Sequence, residues 1–304
     1  MSVDDYERVV VKIGGAKAVE PEGALADIAD LVEGSARGAD DRSGGERSDP
    51  RDEGVELAVV HGGSTAVDDS LERMGMEPEY VETPGGVVGR FTDEETIDVF
   101  KMAMAGLVNT DLVTGLRNAG ADAVGLSGVD GGLLTGSRKS AVRVLEDGKR
   151  KIRRGDHSGT IESVDADLLE TLLADGYTPV ASPPMLADEG TAVNTDADRA
   201  SAAVAGALGA TLVSLTDVAG VYRDPDDPST LLERVGTPDE YETLEDAAEG
   251  FMSRKVMAAT EALEGGAPEV VIASANADRP VRAALEGGGT HVLRDALPAT
   301  EDDG

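Results

Sequence analysis

The sequence contains no cysteine, which excludes disulfides, thiolate nucleophiles and cysteine-bound metal centres. Its three histidines, His61, His157 and His291, lie far apart in the chain, which argues against a zinc site. No apolar run approaches the ~18 residues of a membrane-spanning helix, and the N-terminus has no apolar signal core. We therefore expect a cytoplasmic protein without a membrane partner.

Basic residues are also scarce, since 27 lysines and arginines stand against 60 acidic residues, giving a formal net charge of −33. So acidic a chain is repelled by nucleic-acid phosphates, which disfavours a nucleic-acid partner. Only seven of the basic residues are lysines, and the acids are spread along the whole chain. This pattern is typical of proteins from salt-loving organisms, in which long-range electrostatic steering is screened.

Hydrophobic residues make up 40% of the 304 residues, enough for one large α/β domain or two smaller ones. Two apolar β-branched runs, at 9–13 and 55–60, each predict a buried strand. A glycine pair and a predicted helix follow each strand, the pairs being Gly14-Gly15 and Gly62-Gly63. Successive units of this kind predict a mostly parallel open sheet, with ligands beyond the carboxyl ends of its strands.

The first of these turns has the features of a phosphate site. Because glycine lacks a Cβ, the N–H groups of Gly14 and Gly15 can approach a phosphate closely, and Lys12 places a positive charge just before them. Taken alone, the stretch is more typical of an ordinary strand–helix turn with an exposed lysine. Near the start of a helix predicted from residue 250, Lys255 opposes the helix dipole, which suggests an anionic ligand.

Further periodic stretches alternate between the two kinds of element. Apolar spacing predicts helices at 22–33, 65–74, 94–104, 107–119, 165–175, 199–208, 250–263 and 278–286. Short apolar runs predict strands at 123–126, 178–181, 211–215 and 269–272. Residues 34–54 have low complexity, with five glycines, six acids, four arginines and no large apolar side chain, so we expect a mobile surface loop there.

The charge reverses in one segment, predicted as a β-hairpin over 138–158. Its first 17 residues hold only two acids beside eight basic residues: Arg138, Lys139, Arg143, Lys149, Arg150, Lys151, Arg153 and Arg154. Such a run can be a solvated edge hairpin whose charges prevent aggregation. Against so acidic a background we favour a docking patch for an acidic partner.

Two polar motifs offer candidate ligands. Arg90 precedes a helix that Thr92 or Asp93 can cap, and it can clamp a carboxylate or remain solvated. In the run 194–198, most polar residues can cap the next helix, which leaves Asp198 free to orient a cation and Asn194 free to bind a ligand.

The ordered set of motifs resembles the amino-acid kinase family, and within it the acetylglutamate kinase branch. The resemblance covers nearly the whole chain, and its motifs occupy 12–15, 61–64, 89–93, 125–130, 194–198, 216–222 and 253–255. It implies an α/β fold, a three-layer αβα sandwich, with a substrate-binding and dimerising part at 1–176 and an ATP-binding part at 177–304. ATP would bind with Mg²⁺, and we expect a homodimer and no metal-ligating residues of the protein itself.

The resemblance also implies roles for individual residues. Lys12 and Lys255 would flank the transferred phosphoryl group, with Asp198 holding both lysines. The substrate would be held by Gly62, Gly63, Ser64, Arg90 and Asn194. The nucleotide would be held by Gly14, Gly15, Thr216, Asp217, Gly220, Val221, Tyr222 and Ser253.

Two departures from the acetylglutamate kinase pattern narrow the branch. Ser64 replaces the third glycine of its motif, and the hairpin is more basic than an enzyme for a small acetylated amino acid needs. Both resemble the kinases of glutamate or 2-aminoadipate attached to a small acidic amino-group carrier protein of the LysW type. The alternatives are a kinase of free N-acetyl-L-glutamate and a non-catalytic nucleotide sensor on the same fold. Glutamate and 2-aminoadipate differ by one methylene, worth only ~1–3 kcal/mol of discrimination.

Overall fold

The structure is a computed structural model that describes residues 2–14, 21–36, 55–86, 88–146, 148–248 and 250–298. Gly15 and most of the predicted mobile loop, residues 37–54, lie outside the described residues. The first three residues assigned to that loop extend the preceding helix to Ala36.

Strands and helices alternate along most of the chain. The strands are β1 (Arg8–Ile13), β2 (Glu56–His61), β3 (Tyr80–Glu82), β4 (Val88–Arg90), β5 (Ala123–Gly128), β6 (Leu134–Glu146), β7 (Lys149–Val164), β8 (Thr178–Ala187), β9 (Ala192–Val193), β10 (Thr211–Thr216), β11 (Arg234–Val235), β12 (Glu269–Ser274) and β13 (Thr290–Leu293). The helices are α1 (Pro21–Ala36), α2 (Ser64–Arg73), α3 (Glu94–Lys101), α4 (Asn109–Ala119), α5 (Ala166–Ala174), α6 (Ala197–Leu208), α7 (Pro238–Ala247), α8 (Phe251–Gly265) and α9 (Pro280–Leu285). A π-helical stretch, Met102–Val108, joins α3 to α4.

One sheet runs through the described chain in the order β11-β13-β12-β10-β1-β2-β8-β6-β7, with β5 and β9 also paired to β8. Strand β1 lies in its middle and pairs in parallel with both β10 and β2. The antiparallel pairs β12–β13 and β6–β7 lie toward the two edges. The predicted mostly parallel open sheet is therefore confirmed.

Helices cover both faces of this sheet. Successive side chains of each strand point to opposite sides, so the buried strands present apolar side chains to both faces. On one face, Val10 packs in a core with Val204 of α6 and Ala259 of α8. On the other face, Val9 and Val11 share a second core with residues of α1, α4 and α9. The predicted αβα sandwich is confirmed, and Lys12, two residues after Val10, faces α6 and α8.

Several elements differ from the sequence prediction. Strand β8 continues through Pro183 and Pro184, where we expected it to end. The register with β5 shifts there, since Ser127 pairs with Ser182 but Gly128 pairs with Met185, so neither proline needs a partner on β5. Residues 94–119 form one continuous helical run, with its π-helical stretch where we expected a break. No helix among the described residues is long and apolar enough to cross a bilayer.

Candidate active site

Two lysines and one carboxylate meet beyond the carboxyl ends of the central strands. The Nζ of Lys12, near the end of β1, lies 2.6 Å from Oδ1 of Asp198, and the Nζ of Lys255 on α8 lies 3.7 Å from the same oxygen. Asp196 caps α6 by accepting the N–H groups of Asp198 and Arg199. The carboxylate of Asp198 is therefore left to hold the two lysines, as the sequence suggested.

The electrostatics of this cluster are set by burial and by mutual charge. Burial would raise the pKa of Asp198, but the positive charges of Lys12 and Lys255 outweigh it and hold the pKa below its ordinary value. Burial lowers the pKa of Lys255, and the neighbouring charge of Lys12 lowers it further. One carboxylate between two ammonium groups leaves an excess of positive charge, which an incoming anion can neutralise.

The glycine turn after β2 offers backbone donors to the same region. The N–H of Gly62 is already used, since it donates to Ile13 O at 3.1 Å. Gly63 occupies the N-cap position of α2, and since glycine has no side chain, it cannot accept a hydrogen bond from the first N–H groups of the helix. Because the first N–H groups of a helix have no partner within it, the start of α2 is suited to an anion.

Arg90 is fixed by neighbours that the sequence did not reveal. Its guanidinium lies 2.5 Å from Oδ1 of Asp68 and donates to Ser64 O at 3.1 Å and to the Tyr80 hydroxyl at 2.9 Å. The guanidinium also stacks over the Tyr80 ring, 5.0 Å from its centroid. Arg90 is thus held beside Ser64 at the start of α2.

Asn194 lies in a hydrogen-bonded junction with the basic hairpin. Its amide donates to the Thr92 hydroxyl at 3.0 Å, and its backbone N–H donates to His157 O at 2.7 Å. The buried carboxylate of Asp156 accepts the Thr92 N–H at 3.1 Å and the Ser158 hydroxyl. The last part of the hairpin is therefore joined directly to the predicted substrate residues.

The predicted nucleotide residues separate into two groups. Thr216 ends β10 and Asp217 follows it directly, and the charge of Asp217 partly offsets the lowering of the pKa of Lys255. Gly220 and Val221 instead fold against β13: a Cβ at Gly220 would lie 2.6 Å from Thr290 Oγ1, which accepts the Val221 N–H.

The remaining predicted nucleotide residues have partners within the protein. Tyr222 forms an isolated bridge with Leu231, and the Ser253 hydroxyl donates to Ala248 O at 2.7 Å. Gly14 follows β1 directly, beside the Lys12 cluster.

The predicted basic hairpin is formed by β6 and β7, and its two faces differ. Directly opposed residues share a face, so Arg143–Ile152, Leu145–Arg150 and Ala141–Arg154 lie on one side, which we call the outer face. Its arginines are exposed, Ile152 is 65% exposed and Leu145 36%. Within the described chain, none of its three arginines forms an ion pair.

The inner face of the hairpin packs on the protein body. Val144 is fully buried, and Arg153 pairs with Glu79 and stacks 4.2 Å from the Phe91 ring centroid. Lys151 pairs with Glu146 at 2.7 Å. Nearer the body, Arg138 pairs with Glu189 at 3.0 Å. Lys139 and Lys149 are exposed.

Several residues of the site were missed from the sequence. Asp68, Tyr80 and Asp156 carry no motif, and only the folded chain brings them to Arg90 and Thr92. His61 is also buried in the structure. Its position between an apolar strand and the glycine pair was a signal that the sequence did contain.

A family model described as the amino acid kinase family matches residues 7–274. The chain is 43% identical over 290 residues to the [LysW]-aminoadipate kinase of Thermus thermophilus, covering 93% of this chain and 99% of the relative. It is 42% identical over 286 residues to an acetylglutamate kinase of Methanopyrus kandleri, covering 93% of this chain and 99% of the relative. It is 36% identical over 240 residues to a [LysW]-aminoadipate/[LysW]-glutamate kinase of Saccharolobus islandicus, covering 78% and 89%.

Among solved structures, the chain is similar to an N-acetylglutamate synthase from Neisseria gonorrhoeae complexed with coenzyme A and N-acetyl-glutamate. The TM-score is 0.71 at 25% identity, and the match covers 97% of this chain. The chain spans only 62% of that longer protein.

Proposed function

Because the chain belongs to the amino acid kinase family, we propose that it transfers the γ-phosphoryl group of ATP to a side-chain carboxylate. The acceptor is glutamate or 2-aminoadipate attached to a small acidic amino-group carrier protein of the LysW type, and the product is an acyl phosphate for arginine or lysine biosynthesis. The observation that carries the reaction is the partly buried Asp198 carboxylate between Lys12 and Lys255.

The mechanism follows from bringing one anion to another. A carboxylate is already ionised at neutral pH, so its oxygen attacks the γ-phosphorus without a general base. The new oxygen–phosphorus bond forms as the bond to the bridging oxygen of ADP breaks. Such transfer needs positioning and charge stabilisation more than covalent help, and Lys12, Lys255 and the backbone donors of Gly14 and Gly63 supply both.

The residues present fit a triphosphate. The two ammonium groups around Asp198 and the N–H groups at the start of α2, which no side chain caps, suit its anionic oxygens. The described residues contain no cluster of three or more metal-ligating side chains. Mg²⁺ is typically held by phosphates and water with few carboxylates, so it would arrive with ATP and neutralise phosphate charge.

The carrier-linked substrate is supported by the outer face of the hairpin. Its three arginines are exposed and form no ion pair with any residue that the structure describes, in a protein of net charge −33, and the same hairpin reaches Asn194 and Thr92. An acidic carrier seated there would be adjacent to the site that receives its attached amino acid. Two of the three relatives described above carry LysW in their names, which supports the same assignment.

The proposed function is tested by turnover with purified components. We expect ATP-dependent acyl phosphate formation, trapped with hydroxylamine, with carrier bearing glutamate or 2-aminoadipate and little with free N-acetyl-L-glutamate. Efficient use of free N-acetyl-L-glutamate would instead identify an acetylglutamate kinase. If nucleotide binds but no acceptor is phosphorylated, the protein is a sensor.

We also propose a homodimer, formed through the π-helical stretch. Its seven residues carry no charge, and Met102 and Leu107 are 54% and 44% exposed, an apolar strip on a highly acidic surface. We expect the double variant Met102→Glu, Leu107→Glu to sediment as a monomer and the wild type as a dimer. Met257→Glu, at another exposed methionine (51%), is the control and should stay dimeric. A wild-type monomer, or a double variant that still dimerises, would refute this interface.

A further inference from the structure

His61 is a buried side chain that the proposed reaction does not use. It ends β2, is 0% exposed and directly precedes Gly62 and Gly63. Leu57 and Val59, which share its side of the strand, pack in the core with α1, α4 and α9. The imidazole therefore points away from the layer of Lys12 and Asp198 and does not touch the transferred group.

A chain of hydrogen bonds fixes the tautomer of this imidazole. The amide nitrogen of Asn109 lies 2.8 Å from Val180 O, which can only accept, so the NH₂ group must face it. The same nitrogen lies 3.0 Å from His61 Nε2, which must then accept as well. The proton is left on Nδ1, which lies 3.0 Å from Gly62 O and donates to it.

The hydrogen bond from His61 sets the direction of the next peptide. A trans peptide is planar, so its C=O and N–H point in opposite directions. Since His61 holds Gly62 O on the α4 side, the Gly63 N–H is turned toward α6, the side of Lys12 and Asp198. The N–H of Gly62 is already bound to Ile13 O, so the Gly63 N–H is the donor that this turn presents.

Close packing holds the network in place. A Cβ at Gly125 on β5 would lie 2.1 Å from Asn109 Oδ1, and a Cβ at Gly63 would lie 2.7 Å from Met104 Sδ in the π-helical stretch. Burial lowers the pKa of His61 to about 4, so the imidazole is neutral throughout the physiological pH range.

We propose that His61, as the Nδ1–H tautomer backed by Asn109, is a positioning residue that aims the Gly63 N–H at the transferred phosphoryl group. This role rests on the proposed phosphoryl transfer, because it concerns the donor at that same site. The tautomer itself follows from the contacts and can be tested without turnover.

The first test is ¹⁵N NMR of the protein labelled at histidine. The signals of His61 are identified by their absence in the His61→Asn variant. We expect the Nδ1–H pattern at neutral pH, unchanged down to about pH 5, with a shift toward mixed tautomers in Asn109→Leu. An Nε2–H pattern or an imidazolium at neutral pH would overturn the proposal, whether or not the protein proves to be a kinase.

The second test separates positioning from folding. His61→Leu loses the donor to Gly62 O and should lower kcat by about 10- to 100-fold, with the KM for ATP changed less than about threefold. His61→Asn keeps an amide N–H near the position of Nδ1 and should recover most of that kcat. Equal kcat in the leucine variant and the wild type would overturn the role, as would an asparagine variant that folds but is no better than leucine. If the wild type shows no turnover while NMR gives the Nδ1–H tautomer, the proposed function fails, and the positioning role fails with it.

Discussion

Replacing Lys12 by methionine is expected to lower kcat by at least ~10², the scale for loss of one preorganised charge at a transition state. Methionine keeps most of the buried stem of this side chain, which is 5% exposed, so packing in the sheet is retained. ATP affinity should fall much less, because the nucleotide keeps its other contacts. The effect is measured by steady-state kinetics together with direct nucleotide binding.

Lys255→Met should behave in the same way, since Lys255 shares the Asp198 carboxylate with Lys12. In the double variant the two losses should be less than additive, because groups that act as one unit lose their joint effect at the first substitution. Lys101→Met, which removes an exposed lysine paired with Asp98, is the control and should leave kcat unchanged. Near-normal turnover in Lys12→Met would refute the mechanism.

The arrangement of Lys12, Asp198 and Lys255 could be predicted from the sequence only in part. A parallel sheet brings the carboxyl ends of its strands to one edge, so the sequence predicted a ligand site beyond the end of β1, and the family resemblance placed Asp198 beside Lys12 there. The sequence predicted that Asp198 is free to hold the lysines, but it could not predict which polar residue caps α6, and the structure gives that cap to Asp196. Asp198 holds the lysines because the side chain of Lys12 lies on the face of the sheet that packs against α6.

The setting of Arg90 could not be predicted at all. Its partners Asp68 and Tyr80 lie on α2 and β3, and their meeting depends on how these elements pack. Helix α7, by contrast, was missed although its signal was present: Thr237 and Glu240 form a capping box around Pro238. Strand β13 has only four residues and pairs antiparallel with β12, so a rule based on strand–helix units does not predict it.

The basic hairpin shows what the structure adds to a charge count. The sequence gives eight equivalent cations, whereas in the fold Arg138, Lys151 and Arg153 are bound to acids of the protein itself. Reversing Arg153 would break its pair with Glu79 and its stacking on Phe91, and so would disturb the body rather than a docking surface. The arginines of the outer face can be changed without that side effect.

The triple variant Arg143→Glu, Arg150→Glu, Arg154→Glu is therefore expected to raise the KM for the carrier substrate by about 30- to 1000-fold. Like charges would face the acidic carrier in place of opposite ones, at a cost of about 2–4 kcal/mol. The kcat at saturating carrier and the KM for ATP should change little, because Lys12, Asp198 and Lys255 are untouched. A matched triple reversal at Arg73, Arg234 and Arg294, all exposed and outside the hairpin, gives the same change in net charge and should leave the carrier KM near that of the wild type.

Salt separates the two components of the outer face. Exposed charges are screened over about 3 Å at 1 M salt, so the penalty of the triple variant should shrink as salt rises, leaving only close contacts. Ile152→Ser removes an apolar contact at a side chain that is 65% exposed, and its smaller rise in carrier KM should persist at high salt. If the triple variant uses the carrier substrate as well as the wild type at every salt concentration, the outer face is not the docking surface. If it also turns over free N-acetyl-L-glutamate efficiently, the carrier-independent kinase becomes the better assignment.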